Sequence, residues 1–372
     1  MTADVKEIKI SAKKIKSIQR DAEKTAKAVN LIYVQDNQPG ISRVKKGDTF
    51  IYFCGKKQLS NKTTLERIKK LVIPPAWENV WICNLENGHL QATGIDVKKR
   101  KQYKYHSHWN ALRNQTKFYC LHNFGKSLPS IRKQLAQDLA LPGMPAEKVL
   151  ATVISLMEQT SIRIGNSAYE KLYGSFGLTT LKNRHVKVTA DQIQFQFVGK
   201  KGIAHKIGIK NKRLAKIVKQ CRDIPGKELF QYYDEEGDHK SIDSGMVNAY
   251  LKSITGEAFT AKDFRTWAGT VQAIVEFKSV GQGENKTEIK NNIITVLDRV
   301  AKHLGNTRTV CKKYYVHPAI IALYEEGRLM PYLEHLKESQ PNDDKNNSQT
   351  HALTSEEKVL MDILEKEKIV CI

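Results

Sequence analysis

No apolar run in this chain approaches the ~20 residues that a helix needs to cross a bilayer. The opening stretch, MTADVKEIKISAKKIKSIQRD, lacks the apolar core of a secretory signal, so an interior, cytoplasmic location is expected. Cysteine is sparse and scattered. Cys54, Cys83, Cys120, Cys221, Cys311 and Cys371 show neither CxxC spacing nor neighbouring histidine pairs. That argues against a disulfide framework and against a zinc site, and a reducing compartment is the default. Phosphate-loop spacing is missing too: the nearest candidate, GQGENKT at 281–287, does not fit GxxxxGK[ST] and reads better as a polar loop. There is no HExxH pair and no Asp-x-Asp cluster suited to two metals, so neither a metal nor a nucleotide cofactor is expected. Acidic residues are scarce relative to basic ones. Against 61 Lys and Arg stand 39 Asp and Glu, a formal charge of +22. Such an excess favours a polyanionic partner, because phosphate contacts release condensed counterions. Nucleic acid leads. A membrane surface is disfavoured, since no basic amphipathic helix ends in an aromatic anchor.

The 372 residues are long enough for two domains. Residues 1–30 form a lysine-rich extension with spaced apolar positions (Val5, Ile8, Ile15, Ile18), either a helical arm or a solvated tail. Residues 31–110 change character. LIYV and TFIYFC are β-branched and aromatic, broken by QPG and KKGD; VWICNL, ENG and HLQATG follow as a further hairpin. The prolines of LVIPPAW forbid helix and mark a rigid connection. Residues 97–109, VKKRKQYKYHSHW, alternate cations with Tyr103, Tyr105 and Trp109. In an extended strand the period of two puts Tyr103 and Tyr105 on one face. Cations for phosphates beside aromatics for sugars and bases suit a nucleic-acid surface. An edge strand guarded by lysines is the plainer alternative, and the overall charge tips the balance to binding.

From 111 to 335 the periodicity is mostly helical. Pro145 sits at a plausible first helical position, and Leu150, Val153, Ile154 and Met157 recur at helical spacing ahead of QTSIRIGN, which carries Arg163. HVKVTADQIQFQFVGKKGIAHKIGI alternates like a small β-sheet, with Lys200 and Lys201 at a hairpin tip. Ser241 to Ile254 reads as a helix; FTAKDFRTWAG opens the next with Arg265; a third contains Ile293, Val296, Leu297 and Val300. Residues 336–372 are a polar linker, ESQPNDDKNNSQTH, and a last amphipathic helix opened by the capping box Thr354 to Glu357. Docking of that helix onto the body is expected.

At Asn306–Pro318, NTRTVCKKYYVHP, Tyr314 and Tyr315 follow the pair Lys312 and Lys313. A phenol with an ordinary pKa near ~10 is a poor nucleophile, and becomes useful only where cations stabilise its anion or the charge on the group it attacks. Most tyrosines merely bury a ring, so this stretch alone does not decide.

Taken together, SIRIGN, FVGKKG, AKDFRTWAG and GNTRTVCKKYYVHP resemble the active-site segments of the type IB DNA topoisomerases, in the small form of bacteria and poxviruses. IPPAW and GHLQATGIDVKKRKQYKYHSHW resemble that family's DNA-clamping amino-terminal domain. The likeness runs in order from about Leu31 to Gly327. It implies an α+β architecture, a small β-rich domain followed by a mostly helical catalytic domain with a small sheet, and a monomer that clamps double-stranded DNA.

The resemblance also implies roles. Tyr315, preceding Val-His-Pro, would attack a phosphodiester and form a 3′-phosphotyrosyl bond. Arg163 and Arg265 would hold non-bridging oxygens, a task suited to planar guanidinium groups. Lys200 would protonate the departing 5′-oxygen, its pKa lowered by neighbouring arginines; Lys201 lies one residue past the matching position. Asn306 stands where poxvirus and eukaryotic members have a histidine, and its amide can still donate a hydrogen bond. Tyr314 points about ~100° away on a helix and is read as packing. Lys98, Arg100, Gln102, Tyr103 and Tyr105 match the DNA-contacting strand, with Gln102 able to read a base edge. Supercoils would relax by rotation of the free end, without ATP or metal. A tyrosine-recombinase-like strand transferase is the alternative of the same chemistry, but AKDFRTW lacks the histidine that family shows near its second arginine. A non-enzymatic DNA-packing protein is the alternative of another class.

Overall fold

The computed structural model describes residues 21–47, 49–97, 99–116, 118, 120–334, 336 and 351–367. The basic extension up to residue 20, Lys98 and the linker at 337–350 lie outside the described residues. The chain forms two compact units that divide after Lys117.

The first unit is built on an antiparallel sheet of six strands, β1 Ile41–Lys46, β2 Thr49–Cys54, β3 Lys57–Gln58, β4 Glu78–Ile82, β5 Leu90–Ile95 and β6 Lys101–Tyr105, in the order β3-β2-β1-β4-β5-β6. Both expected hairpins form: Ile41 pairs with Cys54 across the KKGD turn, and Trp81 with Thr93 across ENG. Ile41, Val80, Ile82 and Ala92 bury one face with Ile68 of the Lys62–Lys70 helix, which Asn61 caps through Thr64 N at 3.0 Å. LIYV departs from the strand expected of it. Ile32 makes one isolated bridge to Gly88, and the Val34 amide donates to Nδ1 of His89 at 3.1 Å instead of to a neighbouring strand. Its β-branched side chains are suited to burial rather than committed to a ladder. Strand β6 is an outer strand, and its alternating exposure follows from having one face packed and one wet.

The second unit is mostly helical. Helices Leu121–Asp138, Ala146–Thr160, Ala261–Val280 and Lys286–Leu304 surround one core that includes Phe124, Leu156, Ile274, Phe277 and Val296. Val149, Val153, Ile154 and Met157 are all buried, as their 3.6-residue spacing demands. Beside them lies the sheet β7 Val186–Val188, β8 Gln192–Val198 and β9 Ala204–Lys210. Ile193, Phe195 and Phe197 of β8 point inward and the polar residues between them outward. A two-stranded ribbon pairs Gln231–Tyr233 with His239–Ser241. The helix expected from Ser241 therefore starts later, at Ser244: Ser241 pairs with Gln231, and Asp243 accepts from Met246 N at 2.8 Å as the N-cap. The last helix, Ser355–Lys366, begins at the expected capping box and sinks Leu360, Ile363 and Leu364 into the same core. Among the described residues no helix is long and apolar enough to cross a membrane.

Candidate active site and nucleic-acid interface

Three chain segments of the second unit meet through two arginines. The Ala146–Thr160 helix ends on Ser161 in a left-handed conformation, φ 54°. That turn leads directly into Arg163, whose carbonyl accepts from Leu178 N at 2.8 Å. Arg265 stands in the second turn of Ala261–Val280 and is 4% exposed. Its guanidinium donates to the Ser161 carbonyl and, at 2.8 Å, to that of Leu304. Leu304 closes the Lys286–Leu304 helix, and Gly305 turns out of it at φ 59° to present Asn306. Arg163 donates to the Gly305 carbonyl at 3.2 Å and to Oδ1 of Asn306. Carbonyls at a helix C-terminus carry partial negative charge and suit guanidinium donors. They leave the formal charge in place, whereas a carboxylate would cancel it.

Among the described residues, two buried donors here make no hydrogen bond of ordinary geometry: Nε of Arg265, with the Tyr315 side chain close by, and Nδ2 of Asn306, with the Cys311 thiol close by. The Cys311 thiol lies against Asn306 and between the fields of both arginines, yet burial dominates and pushes its pKa up to about 11. Burial, then repulsion from Arg163, pushes Arg265 down to about 10, so it stays a cation at neutral pH.

Tyr315 lies just past the Arg308–Tyr314 helix, which Thr307 caps. Its ring centroid is 5.2 Å from Cζ of Arg265, and its carbonyl accepts from Thr270 Oγ1 at 3.1 Å. Gly269 makes the approach possible, since a Cβ there would lie 2.9 Å from the Tyr315 carbonyl oxygen. Tyr314 is still in the helix, with Nζ of Lys313 5.5 Å from its ring centroid. Lys200 heads the β8–β9 tip, where Gly199 N donates to Ile203 O at 2.7 Å and Lys201 turns back at φ 66°. Lys200 is exposed as a residue, yet it lines the same cleft as Arg163 and Arg265. Partial burial lowers its pKa first and Arg163 next, with Lys201 and Arg265 adding and Tyr315 opposing. Arg163, Lys200, Arg265, Asn306 and Tyr315 are thus brought together.

The cleft holding Arg163, Lys200 and Arg265 is also lined by His205 and His303, which no sequence signal singled out. His205 is half-buried and His303 exposed, and for both, partial desolvation of the ring and then nearby arginine charge lower the pKa.

In the first unit, Tyr103 and Tyr105 share a face of β6, their rings stacked at 6.1 Å and an interplanar angle of 10°. Tyr103 is 49% exposed and carries Nζ of Lys101 5.7 Å from its ring centroid. Asp96 organises the other face. Its Oδ2 accepts from Nε and Nη2 of Arg100 at 2.8 and 2.6 Å and from Nε2 of Gln102 at 2.9 Å. Arg100 and Gln102 are therefore oriented by a carboxylate that the sequence reading passed over.

A phenol beside uncancelled cations on a helical unit, joined to a β-rich unit with an aromatic and cationic edge, defines the type IB DNA topoisomerases, and the chain belongs to that family. Residues 106–339 match the model described as the catalytic core of eukaryotic DNA topoisomerase I, and residues 49–96 match the N-terminal domain of bacterial DNA topoisomerase IB. Among named relatives, the chain is similar to the DNA topoisomerase 1B of Acanthamoeba polyphaga mimivirus, 33% identical over 297 residues, covering 77% of this chain and 88% of the relative. Similarity to the DNA topoisomerase 1B of vaccinia virus (strain Copenhagen) is 23% over 239 residues, 64% of this chain and 73% of the relative.

Proposed function

We propose that the protein relaxes supercoiled duplex DNA by cutting and resealing one strand through Tyr315. The Tyr315 oxygen attacks phosphorus, the bond to the 5′-oxygen breaks, and a 3′-phosphotyrosyl bond forms. Lys200 gives its proton to the departing 5′-oxygen, and the phenol proton passes to solvent. Arg163, Arg265 and Asn306 donate to the non-bridging oxygens, where charge builds in the transition state. Resealing reverses the same steps, and because the covalent bond energy is kept, no ATP is consumed. Fixed guanidinium and amide donors supply the charge stabilisation for which other phosphoryl-transfer enzymes use a metal. A single chain acts on the duplex, Lys98, Arg100, Gln102, Tyr103 and Tyr105 contributing binding, in a cytoplasmic, nucleoid-associated setting.

The observation that carries this reading is the pair of orphaned donors, Arg265 Nε and Asn306 Nδ2, in a site where the Arg265 guanidinium lies against the Tyr315 ring. A buried unpaired donor costs about 1–3 kcal/mol, a cost that an anionic oxygen at that spot removes. The test is a suicide duplex labelled on the 5′ side of the cut, the piece that keeps the scissile phosphate at its 3′ end, incubated with EDTA and without ATP. Wild type is expected to yield an SDS-stable adduct whose DNA-linked peptide contains Tyr315, and Tyr315→Phe none. An adduct of normal yield in Tyr315→Phe, mapped to Tyr314, overturns the assignment.

A further inference from the structure

We propose that His205 is a positioning residue for strand cleavage: its ring wedges between the bare Cα positions of Gly199 and Gly305 and so fixes Lys200 relative to Asn306 and the arginines. The inference rests on the role given to Lys200 above. His205 pairs with Phe197 across β8 and β9, and the two rings stack at 5.0 Å with an interplanar angle of 19°. One edge of the imidazole meets Gly199, where a Cβ would lie 2.7 Å from Cδ2 and Nε2. At Gly305 a Cβ would lie 2.5 Å from Cε1 of the same ring. Both distances are far inside contact, so the ring touches the two backbones with no side chain between. Gly199 immediately precedes Lys200; Gly305 immediately precedes Asn306 and offers its carbonyl to Arg163.

Within the tip itself the backbone is held by two local bonds, Gly199 N to Ile203 O and Gly202 N to Gly199 O at 3.1 Å. These shape the turn but do not tie it to the helix end that carries Asn306. His205 makes that connection. Burial lowers its pKa, and Arg163 and Arg265 lower it further. A neutral ring fills the gap without adding a third positive charge beside Lys200.

A positioning role through Lys200 has a signature that general damage lacks. When the 5′-bridging oxygen is replaced by sulfur, the phosphorus–sulfur bond breaks and the thiolate leaves with its electron pair. Thiols ionise near ~8.5, so this leaving group needs no proton. With the ordinary oxygen substrate, His205→Ala is expected to slow single-turnover cleavage on the order of 10²-fold, the lower range of a general acid's contribution. With the sulfur substrate its rate should return to near wild type, as should that of Lys200→Ala, while non-covalent affinity for the uncut duplex stays unchanged. Gly199→Ala, whose backbone is not left-handed, should push the ring and produce the same sulfur-rescued defect. Combined with His205→Ala it should add nothing, because the two changes remove one contact.

Wild-type cleavage by His205→Ala, or equal slowing on both substrates, overturns the proposal. If His205→Ala does not fold, Gly199→Ala decides in the same assay: a defect rescued by sulfur supports the wedge, and a wild-type rate or an unrescued defect refutes it. If instead Lys200→Ala is not rescued by sulfur, the fault lies with the acid assignment itself.

Discussion

Asn306 divides its amide between two tasks. Its oxygen accepts from Arg163, and its buried Nδ2 is left to donate elsewhere. Removing one preorganised donor typically costs 10²–10³-fold in rate, so Asn306→Ala should slow cleavage by roughly 10²-fold. Asn306→Asp keeps the acceptor for Arg163 but replaces the donor with an anionic oxygen facing a phosphate. Single-turnover cleavage should be slower in Asn306→Asp than in Asn306→Ala; the reverse order would show that Nδ2 does not donate to substrate. Arg265→Lys should fail for a different reason: the three N–H groups of an ammonium diverge from one nitrogen, whereas Nη1, Nη2 and Nε of the guanidinium reach three separate places.

Two elements brace this pocket from outside. His317 opens the Pro318–Glu325 helix directly after the tyrosines, and its Nδ1 accepts from Ala319 N at 3.1 Å. Burial pushes its pKa down to about 4, with the Phe118 ring meeting it edge-on at 4.9 Å. An unfolded histidine titrates near ~6.5, so the unfolded chain binds more protons between those values. The neutral ring's contribution is thus complete above about 6.5 and lost as pH falls toward 4, about 3 kcal/mol in all. His317→Asn retains an N-cap without a titrating ring, and urea melts from pH 7 to 4 should show a flatter acid limb than wild type.

The last helix is the second brace. Glu357 receives Nη1 and Nη2 of Arg132 at 2.9 and 2.7 Å and Nε1 of Trp267 at 2.9 Å. Arg132 also donates from Nε to Glu158 at 2.8 Å. Trp267 sits two residues beyond Arg265, and Glu158 five before Arg163. A helix that follows the 106–339 match is therefore tied to both arginine-bearing segments. Breaking a buried pair by removing one partner costs 3–5 kcal/mol. Glu357→Ala should accordingly lower unfolding stability by about 3 kcal/mol in urea melts, with no change in DNA affinity for the folded protein.

At the scale of the whole molecule, the charge of +22 makes binding strongly salt-dependent, with log K falling by about 0.9 per phosphate contact for each tenfold rise in salt. Tyr103 carries no charge and Arg100 is already engaged by Asp96. Tyr103→Ala should weaken duplex binding by roughly 1 kcal/mol and leave the salt slope unchanged. Arg100→Ala should reduce the slope by less than a full phosphate contact, because Asp96 is released with it. Fluorescence anisotropy over a salt series separates the two. A Tyr103→Ala slope clearly shallower than wild type would mean that the ring acts by holding Lys101 in place.

Much of this protein was legible in the chain itself. Strand alternation in QIQFQFV, the capping box before Glu357, and the hairpins around KKGD and ENG depend on neighbours within a few residues, and each formed. The cations and the phenol that the fold brings together stood out in the chain because their segments follow a family order. LIYV and the start of the Ser244 helix were misread, since the same apolar residues serve a loop or a ribbon when a distant partner such as His89 or Gln231 takes the backbone. His205, Asp96 and the bracing Arg132 were invisible for the same reason. Their meaning comes from what stands across from them, not from what precedes them. Sequence alone determined the elements and the inventory of charge. Only the tertiary structure decided that helix-end carbonyls, rather than carboxylates, would hold the two arginines, because that choice depends on two helix ends, at Ser161 and Leu304, more than a hundred residues apart, meeting in a buried space.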